Sequence, residues 1–222
     1  MTQIIPAIIP KSFENLVNEM SRVVREVDSV QIDIVDGKFT KPESWPFNES
    51  DDRFGGMLES EEGLPHYDFL ELEIDMMIEK PELAVDDWLR LGAKALIIHH
   101  GSTEIFSDIV AEAHEREVKV GLAVRPSQSF KEWQHLVPDV DFVQCMGNDT
   151  LGSHGVELDE KVFSHIANIC DTFGNVTIAV DIGVNRDTAP RLVAAGVSKL
   201  VAGSAIFAED DINEAISFFK KL

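Results

Sequence analysis

The chain has 222 residues, of which 44% are hydrophobic, enough to bury a full-sized core, and single-domain α/β barrels reach this length. Its 19 basic and 40 acidic residues give a formal charge of −21, which repels phosphate backbones and anionic lipids and argues against nucleic-acid and membrane partners. No apolar run reaches the roughly 18 residues of a membrane span, and the N-terminus lacks the pattern of a signal peptide. We therefore expect one domain, residues 1–222, of a cytoplasmic protein.

Short apolar runs rich in β-formers alternate along the chain with longer segments of helical spacing, which is the pattern of βα units. The runs predict eight strands, at residues 4–9, 29–33, 69–75, 95–99, 119–124, 141–146, 177–181 and 199–203. The segments between and after them predict seven helices, at residues 12–26, 81–91, 104–116, 130–136, 159–173, 188–195 and 211–221. Capping residues and glycine stops support several of these helix ends.

Eight strand-helix units of about 28 residues each match a (β/α)₈ TIM barrel, an α/β fold whose parallel strands are joined by helices. The rival fold, an open doubly wound sheet, needs two edge strands with polar faces, whereas all eight runs are apolar enough to be covered on both sides. Residues 40–68 are irregular and rich in proline, glycine and acid. They predict a long acidic loop with a short or broken helix.

Three of the predicted strands end in aspartate: Asp33, Asp75 and Asp181. The carboxyl ends of the strands form the active-site face of such a barrel. Buried carboxylates that face one another repel and raise each other's pKa, so they require protons or a cation. The three aspartates therefore indicate a shared acid/base or metal site, the alternative being that each caps its own loop.

The last two strands are followed by small residues suited to an anion. VDIGVN, residues 180–185, and VAGSAIF, residues 201–207, place Gly183, Gly203 and Ser204 directly after strands seven and eight. Backbone N–H groups at such positions can hold a phosphate, and these two loops are the usual phosphate site of the barrel. Taken singly, each glycine could equally be a turn residue.

Together with IIPAII, VQIDIVDGKF, EIDMMIEKPE and GLAVRPS, these motifs resemble the ribulose-phosphate 3-epimerase family over nearly the whole chain. The resemblance implies a ribulose-phosphate-binding barrel in which Asp33 and Asp181 are the acid/base pair. One carboxylate removes a proton next to a ketone and the other returns one to the opposite face. In this family a divalent metal stabilises the enediolate.

The resemblance also locates departures at the metal site. Gln31 and Asp75 stand where the family has two histidine ligands. With Asp33 and Asp181 they could form an all-oxygen set, which favours magnesium, manganese or calcium over zinc or iron. The cofactor expected from the resemblance is a divalent ion, Mg²⁺, Mn²⁺ or Zn²⁺, of which the oxygen ligands favour the first two, unless the metal has been lost.

Further family positions suggest substrate contacts. Met77 and Met146 match site methionines, and Asn148 and Gly152 match a glycine-rich substrate loop. Arg125 replaces a family asparagine and could pair with Asp75, bind a substrate carboxylate or phosphate, or lie in solvent.

The sequence thus favours an enzyme, an isomerase that epimerises a small phosphorylated ketose. Two alternatives stay open: a non-catalytic phosphosugar-binding barrel, and a different phosphosugar isomerase or lyase that uses Arg125 and His154. The expected partner is a small phosphorylated sugar, and barrels of this family commonly form homo-oligomers through their outer helices. His99 matches a family histidine and is interpreted as a packed core residue.

Overall fold

The structure is a computed structural model that describes residues 2–48, 53–60, 62–153 and 155–222. Eight parallel strands close into a barrel in chain order, with β1 paired to β8. They are β1 Gln3–Ile8, β2 Ser29–Val35, β3 Glu71–Met77, β4 Ala95–His99, β5 Lys119–Val124, β6 Phe142–Met146, β7 Thr177–Asp181 and β8 Lys199–Ala202. The predicted (β/α)₈ TIM barrel is confirmed, and every predicted strand is present with its ends moved by two residues at most.

The α-helices follow the strands on the outside of the barrel. Within the described residues they are α1 Phe13–Val23, α2 Arg53–Ser60, α3 Val85–Arg90, α4 Phe106–Glu115, α5 Phe130–Trp133, α6 Val162–Phe173, α7 Ala189–Ala194, α8 Ser204–Phe207 and α9 Ile212–Phe219. The longest, α6, has twelve residues, and none of the described helices is long and apolar enough to cross a membrane.

Several helix predictions need correction. The segment predicted as one helix over residues 81–91 is a 3₁₀-helix, Pro81–Leu83, followed by α3. The segment 130–136 is α5 followed by a 3₁₀-helix, Gln134–Asp139, and α6 begins at Val162 rather than at residue 159. Proline and single-turn geometry break these segments in ways that an apolar period over two or three turns does not show.

The irregular region after β2 contains the short helix that its composition predicts. Helix α2 occupies Arg53–Ser60, whereas residues 49–52 and 61 lie outside the described part of the chain. The buried Trp45, which precedes this gap, packs edge-on against Trp88 of α3 with ring centroids 6.1 Å apart. This aromatic contact attaches the loop after β2 to the helical layer.

The barrel interior is filled from alternate strand positions. Its larger apolar cluster consists of the strand residues Val35, Met77, Ala95, Ile97, Ala123, Phe142, Met146 and Ala179, with Leu151 added from the loop after β6. A smaller cluster, from β1 and β8, consists of Ile5, Ala7 and Val201. A buried ion pair crosses the interior near the start of β8, where Lys199 Nζ lies 2.7 and 2.8 Å from the two carboxylate oxygens of Glu73. Because this end is closed by packing, access to the interior is from the carboxyl ends of the strands.

Candidate active site at the carboxyl ends of the strands

The three predicted aspartates meet inside the barrel. Asp33 and Asp75 are register partners on β2 and β3, and Asp181 is the last residue of β7. Each offers a carboxylate oxygen, and these oxygens all lie within 4.8 Å of one another. All three side chains are buried. The structure thus brings the three together instead of using each as a separate loop cap.

The side-chain amide of Gln31 links Asp33 and Asp181. Gln31 Nε2 donates hydrogen bonds to Asp33 Oδ1 at 2.7 Å and to Asp181 Oδ2 at 3.1 Å. A primary amide has two N–H donors, so a single nitrogen can satisfy both carboxylates. Gln31 is fully buried, and its Oε1 has no hydrogen-bond partner among the described residues.

Burial raises the pKa values of both Asp33 and Asp181. Removal from water raises the pKa of Asp33 well above its usual value, and the charges of Asp181 and Asp75 add to the rise. Burial, followed by the charge of Asp75, raises the pKa of Asp181 to about 7. The hydrogen bond from Gln31 opposes both shifts. Carboxyls whose pKa values are raised keep their protons at a higher pH than ordinary aspartates do, which suits them to acid/base catalysis.

Asp75 is held on the side away from this pair. His99 Nε2, on β4, lies 2.7 Å from Asp75 Oδ1. Gln144 Nε2, on β6, makes a longer contact of 3.5 Å to Asp75 Oδ2. The sequence interpretation treated His99 only as a packed residue and missed this contact. The available signal was the alternation of side chains along a strand. His99 lies two residues after Ile97 on β4, so both side chains point into the barrel.

The donor set fits a divalent cation. Three carboxylates in one buried cluster repel one another. A hard divalent cation neutralises this repulsion, because such ions bind oxygen ligands. The unpartnered Gln31 Oε1 is a fourth oxygen, and a half-turn of the amide exchanges it with Nε2. The cluster of three buried acidic residues could therefore hold a metal ion.

A cavity of about 250 Å³ opens above the aspartates. Asp33 and Asp181 form part of its wall, whereas Gln31 and Asp75 are fully buried beneath it. The predicted site residues on the cavity wall are Asp33, Met77, Met146, Gly152, Asp181, Gly183, Gly203 and Ser204. The cavity is therefore the size of a small molecule, and its wall contains both carboxyls and the loops after β7 and β8.

Two predicted site residues are placed differently. Asn148 uses its amide to shape the loop after β6, donating to Glu157 O at 3.0 Å and accepting from Thr150 N–H at 2.9 Å. The half-buried Arg125 lies with its guanidinium 5.8 Å from the centre of the Phe39 ring, and neither residue is among the described residues that line the cavity. His154 lies outside the described part of the chain.

The sequence left open an ion pair between Arg125 and Asp75, and the described residues do not form it. Asp75 is instead paired with His99 at 2.7 Å. The physical reason is the direction of the side chains: Arg125 follows the end of β5 and packs over Phe39, whereas His99 points into the barrel beside Asp75.

Asp36 is a structural carboxylate rather than a member of the cluster. Its Oδ1 accepts from the N–H groups of Lys38 and Phe39 at 2.8 and 2.9 Å, and its Oδ2 accepts from Glu79 N–H at 2.9 Å. Gly37 adopts a φ of +71°, which allows the chain to turn directly after β2. Asp36 therefore joins the loop after β2 to the loop after β3.

The turn after β7 is strained. Ile182 has a φ of +76°, a conformation that is rare for a β-branched residue and costs about 1–3 kcal/mol. Its N–H donates to Asp181 Oδ1 at 2.7 Å, and Gly183 follows at a φ of +74°. A Cβ on Gly183 would lie 2.6 Å from Leu158 N. This turn fixes the Asp181 carboxylate and brings Gly183 to the cavity wall.

A barrel with buried acids beside a small cavity at the strand ends belongs to the class of TIM-barrel proteins with an enzyme-like site. Residues 3–207 match the family described as the ribulose-phosphate 3 epimerase family. The chain belongs to the ribulose-phosphate 3-epimerase family, as its motifs had indicated. This membership supports an epimerase-like role.

Two curated relatives illustrate the match. A ribulose-phosphate 3-epimerase of Bacillus subtilis is 30% identical over 98% of this chain and 97% of the relative. A chloroplastic ribulose-5-phosphate-3-epimerase of Arabidopsis thaliana is 28% identical over 97% of this chain and 75% of the relative.

Solved structures support the fold. The 3-hexulose-6-phosphate synthase of Salmonella typhimurium superposes with a TM-score of 0.73 at 14% identity, covering 99% of this chain and 97% of the other. KGPDC of Streptococcus mutans gives 0.68 at 12% identity, covering 100% and 96%.

Proposed function

We propose that the protein epimerises a small phosphorylated ketose at the carbon next to its carbonyl, with Asp33 and Asp181 as the acid/base pair. The observation that carries this proposal is the placement of both carboxyls on the wall of one cavity. Each has a raised pKa, and one amide nitrogen connects them.

Inversion at carbon requires proton transfer on two opposite faces. In the proposed reaction the ionised member of the pair removes the proton next to the ketone, and the protonated member delivers a proton to the other face. After the reaction the first acid is protonated and the second is ionised. The pair is then ready to catalyse the reverse reaction, in which their roles as acid and base are exchanged. Because burial raises the pKa of both groups, the pair can hold a proton at a pH where ordinary aspartates are ionised, as this mechanism requires.

We propose that the aspartate cluster holds a divalent cation. Asp33, Asp75 and Asp181 would each offer a carboxylate oxygen, and Gln31 would offer Oε1 if its amide were rotated, in place of its hydrogen bonds to the acids. Four oxygen donors favour magnesium or manganese over zinc. When bound, such an ion supplies positive charge that stabilises the oxyanion developing on the substrate carbonyl.

The substrate phosphate is assigned to the part of the cavity wall formed by the loops after β7 and β8. Gly183 follows β7, while Gly203 and Ser204 follow β8, and all three line the cavity. The absence of side-chain bulk lets the phosphate approach backbone N–H groups. Met77 and Met146 contribute apolar surface to the cavity wall.

The test is solvent exchange with ribulose 5-phosphate in deuterium oxide, followed by NMR. Wild-type protein should incorporate deuterium at the carbon next to the ketone. Chelation should remove most of this exchange, and added Mg²⁺ or Mn²⁺ should restore it. Asp33→Asn and Asp181→Asn should each remove it, whereas Asp210→Asn, at an exposed aspartate, should not. A protein whose melting temperature rises with the phosphosugar but which exchanges no proton would overturn the epimerase and leave a binding barrel.

A further inference from the structure

Asp75 is fixed by a histidine in a dry environment. The His99 and Asp75 side chains are 1% and 0% exposed, so water cannot replace their 2.7 Å contact. The two residues come from neighbouring strands, where Asp75 is the register partner of Ile97 and His99 lies two residues further along β4. Both side chains therefore point into the barrel.

The contact commits one oxygen of Asp75 and leaves the other more accessible. Oδ1 accepts from His99 Nε2 at 2.7 Å, whereas the hydrogen bond of Oδ2 within the described part of the chain is the 3.5 Å contact with Gln144 Nε2. That glutamine nitrogen also lies 3.9 Å from Met146 Sδ. The orientation of the Asp75 carboxylate is therefore determined mainly by His99.

The His99 ring is itself well positioned. It packs against Phe39 with ring centroids 5.4 Å apart. A carboxylate only accepts, so Nε2 carries the proton in this contact. His99 Nδ1 has no hydrogen-bond partner among the described residues. Within this part of the chain, Asp75 is therefore the hydrogen-bond partner of the His99 ring.

We propose that His99 is a positioning residue that holds Asp75 against the repulsion of Asp33 and Asp181. In this way it sets the affinity of the three-aspartate cluster for a divalent cation. Without His99, the Asp75 carboxylate can rotate away from the other two. Groups that orient metal ligands typically contribute 10- to 100-fold to metal affinity. The inference rests on the proposed cation site but not on the proposed reaction.

The test is direct titration of metal-stripped protein with Mn²⁺, by calorimetry or by the electron paramagnetic resonance signal of free Mn²⁺. His99→Phe and His99→Asn should weaken Mn²⁺ binding about 10- to 100-fold. His99→Gln, which keeps an N–H donor near the position of Nε2, should restore most of the affinity. Melting temperature without metal reports folding for each variant.

The matched control is His165→Phe. His165 is also buried, but its Nε2 contacts the Arg125 carbonyl oxygen at 3.2 Å, away from the cluster. This variant should bind Mn²⁺ as the wild type does even if it is less stable. Equal weakening in His99→Phe and His165→Phe, or wild-type affinity in a folded His99→Phe or His99→Asn, would overturn the positioning role.

The two proposals fail in different ways. Wild-type protein that binds Mn²⁺ in a His99-dependent manner but exchanges no substrate proton supports the positioning role and overturns the epimerase. Wild-type protein that exchanges the proton but binds no Mn²⁺ at millimolar concentration overturns the positioning role and leaves the reaction standing.

Discussion

Asp33 and Asp181 are joined through a single nitrogen, Gln31 Nε2, which lies 2.7 Å from one carboxylate and 3.1 Å from the other. This arrangement places a neutral donor between two groups that would otherwise repel. It explains how the acids can remain assembled when no cation neutralises them. It also makes the position and protonation of the pair sensitive to one side chain.

Replacement of either acid should remove catalysis without unfolding the barrel. Asp33→Asn and Asp181→Asn are expected to lower kcat by about 10²–10⁴-fold, the usual contribution of a general acid or base. Each should keep or raise the melting temperature at pH 8, because a buried charge is removed. Steady-state assays and thermal unfolding measure both effects. Near-normal kcat in either variant would contradict the assignment.

The metal-free protein should lose stability as the pH rises. The pKa of Asp181 is about 7 in the folded state against a usual value of 3.8, so between these values the folded protein binds more protons than the unfolded chain. The linkage relation then lowers the free energy of unfolding by up to about 1.4 kcal/mol per pH unit for this group. Asp33, whose pKa is also raised, acts in the same direction.

Urea unfolding at pH 5, 6, 7 and 8 in chelator tests this pH dependence. Asp181→Asn supplies the control, since it lacks the titrating group but keeps the rest of the protein. The wild type should lose stability relative to Asp181→Asn up to about pH 7, and the difference should then level off. A constant difference across the range would contradict the raised pKa.

Changes at Gln31 should separate its two proposed roles. Gln31→Leu removes both the hydrogen bonds to the acids and the oxygen ligand, so Mn²⁺ affinity and kcat should both fall. Gln31→Glu adds a fourth carboxylate, so Mn²⁺ should bind more tightly while the metal-free protein becomes less stable. Calorimetric titration and thermal unfolding measure these changes. Equal Mn²⁺ affinity in all three proteins would exclude Gln31 as a ligand.

The turn after β7 should be sensitive to one added methyl group. In Gly183→Ala the new Cβ would lie 2.6 Å from Leu158 N, at a φ of +74°. We expect a loss of about 1–3 kcal/mol in the free energy of unfolding and a raised KM for the phosphosugar. Gly174→Ala is the control, because Gly174 also has a positive φ, +67°, but open space around its Cβ. Similar effects at both glycines would show that the close approach is unimportant.

Much of the architecture could be predicted because each strand is a short apolar run between turn or helix signals. The aspartates that end three of these runs also indicated which carboxylates meet at the carboxyl ends of the strands. The four-residue helix α8, Ser204–Phe207, could not be predicted, since a single turn has no measurable period. The same limit applies to the 3₁₀ segments at residues 81–83 and 134–139, which interrupt the second and fourth of the seven predicted helices.

The site shows what strand patterns leave undetermined. An inward position does not tell which partner a side chain meets, because this depends on the stagger between strands in the closed barrel. The sequence therefore identified Asp75 but left open a pairing with Arg125, whereas the partner is His99. The orientation of the Gln31 amide is likewise set by contacts between distant strands. Only the assembled barrel reveals either feature.

Proton transfer by two acids on opposite faces determines where solvent deuterium is found at early conversion. Ribulose 5-phosphate is incubated with the protein and Mn²⁺ in deuterium oxide, and NMR spectra are recorded before a tenth of the substrate has reacted. A two-acid mechanism gives the carbon-3 epimer carrying deuterium, while the remaining substrate keeps its hydrogen. An absence of epimer, or an epimer that retains the original hydrogen, would contradict it.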